Sequence, residues 1–188
     1  MRHFLTLAAI GLLALAPGAR ADEVTDALQN AIEAYQEGDI GYALEEMAYA
    51  EGLMLAIKAE GLAAFLPEPP AGWTREIDAN AGAAMGMLGG GSAAGATYSG
   101  DGESFSITFT ADSPMVTAMA GMFGNAAMLS ATGGSLVRVG REKFADQNGE
   151  LTGLIDNRVL IQASGAPVAV MVPILETIDF RELARFGS

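Results

Sequence analysis

The chain contains no cysteine, and its single histidine is His3, close to the amino terminus. Without cysteine there are no disulfides, so packing alone must stabilise the fold. If His3 is removed with a leader segment, the processed chain holds neither imidazole nor thiol. That absence excludes Ser-His-Asp and Cys-His catalysis, ordinary zinc sites, thiol redox chemistry and covalent haem attachment. An enzyme built from this chain would have to use carboxylates, lysine, serine or tyrosine.

The first 21 residues have the pattern of a secretory signal peptide. Arg2 and His3 form a short basic start, residues 4–16 form an apolar run, and residues 19–21 form a small-x-small cleavage site. The run is too short to span a bilayer. We expect cleavage between Ala21 and Asp22, which would leave a processed protein that is periplasmic or secreted.

Basic residues are scarce. The chain has 10 Lys and Arg against 23 Asp and Glu, a net charge of −13. Removing Arg2 and Arg20 with the leader leaves 8 against 23, a net charge of −15. Such a chain repels nucleic acid and anionic lipid, which both bind clustered Lys and Arg. No later segment is long and apolar enough to cross a membrane. We therefore expect neither a nucleic-acid partner nor stable membrane insertion.

Residues 22–66 have the apolar spacing of a helical hairpin. Gly38 is suited to the left-handed position that ends the first helix, and Asp39 to the cap of the second. The segment 27–54 resembles a single tetratricopeptide or Sel1-type repeat, with matches at Tyr35, Gly38, Asp39, Ala43, Leu44 and Ala50. That resemblance implies closely packed helices and a surface for peptides or partner proteins. Because solenoids need about three repeats, a plain hairpin with common Ala and Gly spacing is the alternative.

The Pro-rich stretch 67–72 predicts a short stiff linker, and residues 73–188 predict an α+β domain. A strand over 94–99 turns at 100–102 into the alternating strand ESFSITFT at 103–110. A helix from Asp112 to about Leu129 comes next. Strands over 135–146, 150–155 and 158–163 follow, with turns at Asn148-Gly149 and Asp156-Asn157. The tail over 168–186 ends in a helix.

This order predicts an α+β fold in which helices pack on one face of an antiparallel sheet. The arrangement is similar to that of Mog1/PsbP-like sandwiches, an analogy of fold that carries no function. A series of short motifs also resembles a group of exported proteobacterial proteins, and implies export and domain limits only. The motifs are Pro70–Trp73, Gly89–Gly91 with Ala96-Thr97-Tyr98, Asp112–Met115 and Ile178–Leu183.

Two patterns bear on ligand binding. GGSAAGAT at 90–97 is similar to a phosphate-binding P-loop, but Ala96 stands where lysine is required and a strand rather than a helix follows. We interpret it as a mobile loop before the first hairpin or as a close backbone approach. Met115, Met119 and Met122 fall on one helical face, with Met85 and Met87 in the preceding glycine-rich stretch. Such thioethers would either bind Cu(I) or fill a core.

Other residues have both a chemical and a structural interpretation. Asp101, Asp112, Glu150 and Asp156 are candidates for a carboxylate-based hydrolase, and equally for ordinary turn residues. Trp73 is either a stacking platform or a packing anchor. Lys58 and Lys143 lack the Ser-x-x-Lys context of a nucleophile pair. We assign no catalytic, cofactor-binding or metal-binding residue.

The sequence therefore predicts an exported, non-enzymatic accessory or binding protein that docks a protein or peptide through its helical hairpin. Tyr35, Tyr42 and Tyr49 are the candidate contact residues, and their acidic neighbours favour a basic partner. If the hairpin packs against its own domain, ligand binding in a cleft between the modules is the alternative. A periplasmic small-ligand or copper-binding protein is the second hypothesis, and a carboxylate-based hydrolase is the third. The oligomeric state stays open.

Overall fold

The computed structural model describes residues 18–82, 90–114, 116–118 and 134–187. The chain divides into two compact units, of which the first ends at Ala50 and the second begins at Glu51. A packed pair of helices is followed by a seven-stranded antiparallel sheet and further helices. The predicted α+β class is confirmed.

The hairpin consists of α1, Gly18–Glu37, and α2, Ile40–Ala63. Between them Gly38 has a φ of +85°, and its backbone N–H donates to the carbonyl of Tyr35 at 3.1 Å. The Oδ1 atom of Asp39 accepts from the backbone N–H of Tyr42 at 3.1 Å. Gly38 and Asp39 thus end one helix and cap the next, as predicted.

The sheet belongs to the second unit. Its strands are β1 Thr74–Asp78, β2 Ser92–Gly100, β3 Glu103–Ala111, β4 Ser135–Val139, β5 Glu142–Gln147, β6 Glu150–Ile155 and β7 Val159–Ser164. Their order is β1-β2-β3-β7-β6-β5-β4, and every neighbouring pair is antiparallel. The pairing of β3 with β7 joins the three amino-terminal strands to the meander of β4 to β7.

Tight turns with left-handed residues connect the strands where the sequence predicts them. Asp101 has a φ of +53°, Asn148 of +55°, and the pair Asp156 and Asn157 of +49° and +54°. Asp and Asn tolerate this conformation better than other residues with a Cβ atom, because their short polar side chains bond locally. The three predicted turns are confirmed.

Two strand predictions are wrong. The segment 135–146 is not one strand but two, β4 and β5, because the chain reverses at Gly140, whose φ is +59°. The second error is that the sequence does not predict strand β1. Its sequence, TREID, has one apolar residue, Ile77, and most of its side chains are exposed, as suits an edge strand.

The hydrophobic core lies on one face of the sheet. Alternate residues of the central strands point into it, among them the fully buried Tyr98, Phe105 and Phe109. Leu62 of α2 and Leu66 just beyond it pack against this face. The tail adds α3, Val168–Leu175, and α4, Phe180–Ala184, so it forms two helices where one was expected. The predicted packing of helices on one sheet face is confirmed.

The Pro-rich segment is fastened to the sheet at Pro67. The Pro67 carbonyl accepts from Tyr98 Oη at 2.7 Å and from Arg75 Nη1 at 2.9 Å. Burial is the main cause that raises the pKa of Tyr98 to about 12. Arg75 also donates to the Leu66 carbonyl at 2.9 Å and pairs with Glu68. These bonds fix the path of the chain from the end of α2 into β1.

Candidate functional site on the helical hairpin

Within the first unit, α1 and the part of α2 up to Ala50 pack through alanine. Every residue between 22 and 50 that is buried is an alanine with 6% exposure or less: Ala27, Ala31, Ala34, Ala43 and Ala50. Ala34 and Ala43 lie equally far from the turn, and so do Ala27 and Ala50, as an antiparallel hairpin requires. Small side chains at such a contact let the helix axes come close. We call these five residues the alanine seam.

The large apolar side chains of this unit lie outside the seam. Eight of them are between 40% and 68% exposed: Leu28, Ile32, Tyr35, Ile40, Tyr42, Leu44, Met47 and Tyr49. A helix on the surface of a globular protein normally buries its large apolar residues and exposes its polar ones. This hairpin buries its smallest apolar residues and leaves the largest in water, which is typical of a surface that another molecule covers.

Six of these residues lie on one side of the hairpin. At 3.6 residues per turn, positions 28, 32 and 35 form a stripe beside the seam on α1, and positions 40, 44 and 47 form a stripe beside the seam on α2. Because the helices are antiparallel, the right-handed sense of each helix carries both stripes to the same side. We call this surface the apolar face: Leu28, Ile32, Tyr35, Ile40, Leu44 and Met47.

The opposite side carries the two other tyrosines. Asn30 Nδ2 donates to Glu46 Oε2 at 3.3 Å across the hairpin, and Tyr42 and Tyr49 lie on this side of α2, two turns apart. The pKa of Tyr42 is raised, mainly by a hydrogen bond with Glu46 and next by the negative charge of the Glu46 carboxylate. The three tyrosines predicted from the sequence are all exposed, but Tyr35 lies on the apolar face and the other two do not.

The unit also concentrates negative charge. Residues 22–50 contain eight acidic residues and no basic one: Asp22, Glu23, Asp26, Glu33, Glu37, Asp39, Glu45 and Glu46. The remaining 138 residues, 51–188, contain fifteen acidic and eight basic residues, a net charge of −7. The 29 residues of the hairpin segment therefore hold more than half of the net charge of −15.

Asp112, a candidate carboxylate, lies in an ion-pair cluster within the second unit. Its Oδ2 atom accepts from Lys58 Nζ at 2.6 Å, and its Oδ1 atom accepts from Arg158 Nη2 and Nε at 3.0 and 3.1 Å. Partial burial acts to raise the pKa of Asp112, but the hydrogen bonds from Lys58 and Arg158 outweigh it and hold that pKa below its ordinary value. Both carboxylate oxygens of Asp112 are thus engaged by these two cations.

The four candidate carboxylates are not brought together. Asp112 and Asp156 follow the carboxyl-terminal ends of β3 and β6. Glu150 begins β6 at the level of Ser106, and Asp101 lies in the turn before Glu103, at least about 10 Å further along the strands. Glu150 accepts from Gln162 at 3.0 Å. Asp156 lines a cavity of about 700 Å³ whose lining also includes the acidic Glu142 and the basic Arg181. Asp101 and Glu150 are therefore separated along the strands and by the intervening strand β7, so Asp112 with Asp156 is the one pair among these four that could face a common cleft.

Trp73 packs as an anchor at the start of the sheet. Its ring lies 5.8 Å from the ring of Phe105, edge to face, and its Nε1 atom donates to Asp101 at 3.1 Å. A Cβ atom at Gly100 would lie only 2.5 Å from the indole, so the ring covers the backbone of β2. These contacts agree with the interpretation of Trp73 as a packing anchor. The carboxylate of Asp101 accepts the hydrogen bond from the indole.

The P-loop-like stretch is mostly strand. From Ser92 onward GGSAAGAT belongs to β2, which is paired with β1 and β3, so the mobile-loop interpretation is wrong for Ser92 to Thr97. Backbone N–H groups committed to a sheet cannot cradle a phosphate. Gly91 makes a close backbone approach, because a Cβ atom there would lie 2.9 Å from the carbonyl oxygen of Ala111.

The methionine stripe cannot be placed. Met115, Met119 and Met122, like Met85 and Met87, lie outside the described residues, as does most of the helix predicted over 112–129. Among the residues that the structure describes, no three His, Cys, Asp or Glu side chains are grouped to hold a metal ion. No helix in the same part of the chain has the length and apolar character needed to cross a membrane.

Sequence reasoning finds the hairpin but misses five of the six residues of the apolar face as contact residues. A signal for three of them is present: Leu28, Ile32 and Leu44 each directly follow a seam alanine, as Tyr35 does. Comparisons of the chain with protein-family models, curated proteins and solved structures give no match.

Proposed function

We propose that this protein is an exported accessory protein that docks a protein partner through the apolar face of its helical hairpin. The observation that carries this proposal is the inverted packing of the hairpin. Its interior consists of alanine alone, and six large apolar side chains on one side stay in water. Large apolar residues at these positions contribute little to the stability of the hairpin itself, because their side chains are about half exposed.

The apolar face supplies part of the binding free energy that a partner needs. Burying a whole Leu, Ile or Met side chain is worth about 1.5–3 kcal/mol, so covering the exposed half of each of six residues is worth about 6 kcal/mol in total. Association costs about 4–15 kcal/mol in lost freedom of motion. A partner therefore needs further favourable contacts beyond these six residues.

Site-specific photo-crosslinking in the producing cell tests the docking. A photoreactive phenylalanine analogue replaces Leu44 on the apolar face, and the matched control carries it at Leu136 on β4, which is similarly exposed. We expect a protein adduct from position 44 only. The partner identified in it should then bind the purified chain, and Leu44→Ser should weaken that binding at least tenfold. Adducts that are equal at both positions, or absent from both, would contradict the proposal.

A deletion of the whole segment 22–66 is not a suitable test. Leu62 and Leu66 belong to the core of the sheet, and Lys58 pairs with Asp112, so the deletion would damage the second unit as well. Point substitutions on the apolar face leave these contacts in place.

Export is the second part of the proposal. It is supported by the basic start, apolar run and small-x-small site of residues 1–21. Amino-terminal sequencing of the protein recovered from the producing cell should begin at Asp22. A chain that retains Met1, recovered from the cytoplasm, would refute this part and leave the docking surface to be judged separately.

A further inference from the structure

We infer that the partner seated on the apolar face is a second copy of this chain. This inference rests on the proposed function and names the partner. Three properties of the first unit support it, which are the position of its charges, the arrangement of its large apolar residues and the area that two such faces bury together.

The acidic side chains of the hairpin lie away from the apolar face. At 3.6 residues per turn, the acidic residues that α1 and α2 carry between 22 and 50 all fall more than a quarter of a turn from the centre of the stripe on their helix. They are Asp22, Glu23, Asp26, Glu33, Glu37, Glu45 and Glu46. Two copies can therefore meet face to face without bringing these carboxylates into contact. The same placement leaves the face without a charge that would attract a cationic partner.

The margins of the apolar face are uncharged as well. The residues that helical spacing places at the outer border of the two stripes are Thr25, Gln29, Gln36, Gly41 and Ala48. The next acidic residue on this side of α2 is Glu51, one turn past Met47, so it borders the face only at its end. A surface of this composition is suited to an apolar contact rather than an ionic one.

The arrangement of the face allows it to pair with itself. Each stripe has three residues, and Ile32 and Leu44 are the middle residues of their stripes. A two-fold axis between two such faces brings the middle of one face onto the middle of the other, which is the self-complementary contact of most dimers. Two hairpins stacked in this way form four helices around a shared apolar interior. The second copy thus supplies the large buried residues that the alanine seam lacks.

Two apolar faces together reach the size of a specific interface. Residues as large as these each have about 200 Å² of accessible surface. Since about half of it is exposed, six residues on each of two copies would bury about 1,200 Å² in total, the lower end for specific interfaces. We therefore expect a reversible dimer with a dissociation constant on the order of 1–10 µM. At lower concentrations the purified chain is a monomer with an open apolar face.

Sedimentation equilibrium of the purified protein tests the inference. The weight-average mass should rise from that of one chain at about 0.1 µM toward that of two chains at about 100 µM. Ile32→Ser with Leu44→Ser should raise the dissociation constant at least tenfold, because it removes the middle of the apolar face from both copies. The matched control, Ile77→Ser with Leu136→Ser on exposed positions of the sheet, should leave it unchanged. Added salt should not weaken the dimer, since the contact is apolar and two acidic copies repel each other at long range.

Crosslinking identifies the occupant independently. With the photoreactive residue at position 44, the adduct formed in the producing cell should have the mass of two chains. The same adduct should form in the purified protein at about 100 µM, well above the expected dissociation constant. With the photoreactive residue at position 136, neither sample should give it.

Three results would overturn the inference. The mass of one chain at every concentration would show that the face does not bind itself. A dimer that the Ile32→Ser, Leu44→Ser variant forms as tightly as the original chain would place the contact elsewhere. An adduct between position 44 and a different protein would refute the second copy and leave the proposed docking intact, whereas the absence of any adduct from position 44 in the cell would contradict the docking itself. Circular dichroism confirms that each variant folds, and Ile32→Thr with Leu44→Asn replaces any that does not.

Discussion

Replacing Asp112 separates a charge effect from a backbone effect at one position. Its carboxylate accepts from Lys58 at 2.6 Å and from Arg158 at 3.0 and 3.1 Å, while its own φ is +52°. Asp112→Asn keeps the size of the side chain and the tolerance for a left-handed backbone, but it removes the charge. Asp112→Ala removes the charge, the hydrogen bonds and that tolerance together.

The magnitude follows from the geometry and the exposure of the cluster. Hydrogen bonds to charged groups contribute about 1.5–3 kcal/mol when they are buried, and exposed ion pairs contribute about 0.2–1 kcal/mol. The Asp112 side chain is 28% exposed, so we place the loss between these limits, at about 1–2 kcal/mol for Asp112→Asn. Asp112→Ala should lose about 1 kcal/mol more, the cost of a left-handed residue with an ordinary Cβ atom.

The pH dependence tests the charge component alone. Lys58 and Arg158 hold the pKa of Asp112 below its ordinary value, so the carboxylate stabilises the folded state at pH values above the unfolded pKa of about 3.9. That contribution is lost as the pH falls through the lower pKa of the folded state. Urea unfolding should therefore show a gap between the original chain and Asp112→Asn at pH 7 that narrows as the pH falls below the unfolded pKa of about 3.9 and the carboxylate becomes protonated. A gap that is absent at pH 7, or unchanged at low pH, would refute the reasoning.

Three further substitutions probe the packing. Ala31→Leu adds bulk to the seam and should lower the free energy of unfolding by about 1–3 kcal/mol in urea titration, and an unchanged value would contradict close helix packing. Gly153→Ala would place a Cβ atom 2.5 Å from the ring of Phe144, so the midpoint of thermal unfolding should fall, whereas an unaltered midpoint would show that the ring moves aside freely. Tyr98→Phe removes one of two donors to the Pro67 carbonyl and should cost about 1 kcal/mol in the same titration, while a loss above about 3 kcal/mol would show that Arg75 does not keep that carbonyl satisfied.

The parts of the fold predicted from the sequence are those that local chemistry decides. Gly38 and Asp39 mark the hairpin turn, and Asn148-Gly149 marks a strand reversal, because only a few residue types accept their backbone conformations. At the turn formed by Gly140 and Arg141, the glycine has no Asn or Asp beside it. The sequence therefore predicts one strand where the structure has two. Strand β1 is stabilised by its neighbour rather than by its own apolar residues.

The candidate site depends on contacts between residues that are distant in the sequence. It also depends on which of the neighbouring apolar residues of each helix become buried. In Ala31-Ile32 both residues lie on the apolar side of α1, and hydrophobicity alone favours burial of the isoleucine. Two closely packed helices leave room only for the alanine at their contact. Because this packing is a tertiary contact, the sequence of one helix does not reveal it. The ion-pair cluster joins Asp112 to Lys58 and Arg158, which are 54 and 46 positions away in the sequence. Hydrophobic periodicity carries no information over such separations.

The absence of cysteine allows the docking surface to be measured directly. Leu44→Cys and Leu136→Cys each introduce a single thiol, one on the apolar face and one on the sheet, at positions that are 61% and 51% exposed. In the purified protein both thiols should react with a maleimide at similar rates. In intact cells that produce the protein, we predict that the thiol at position 44 reacts at least fivefold more slowly than the thiol at position 136. Equal rates in the cell would show that nothing covers the apolar face, and would contradict the docking function.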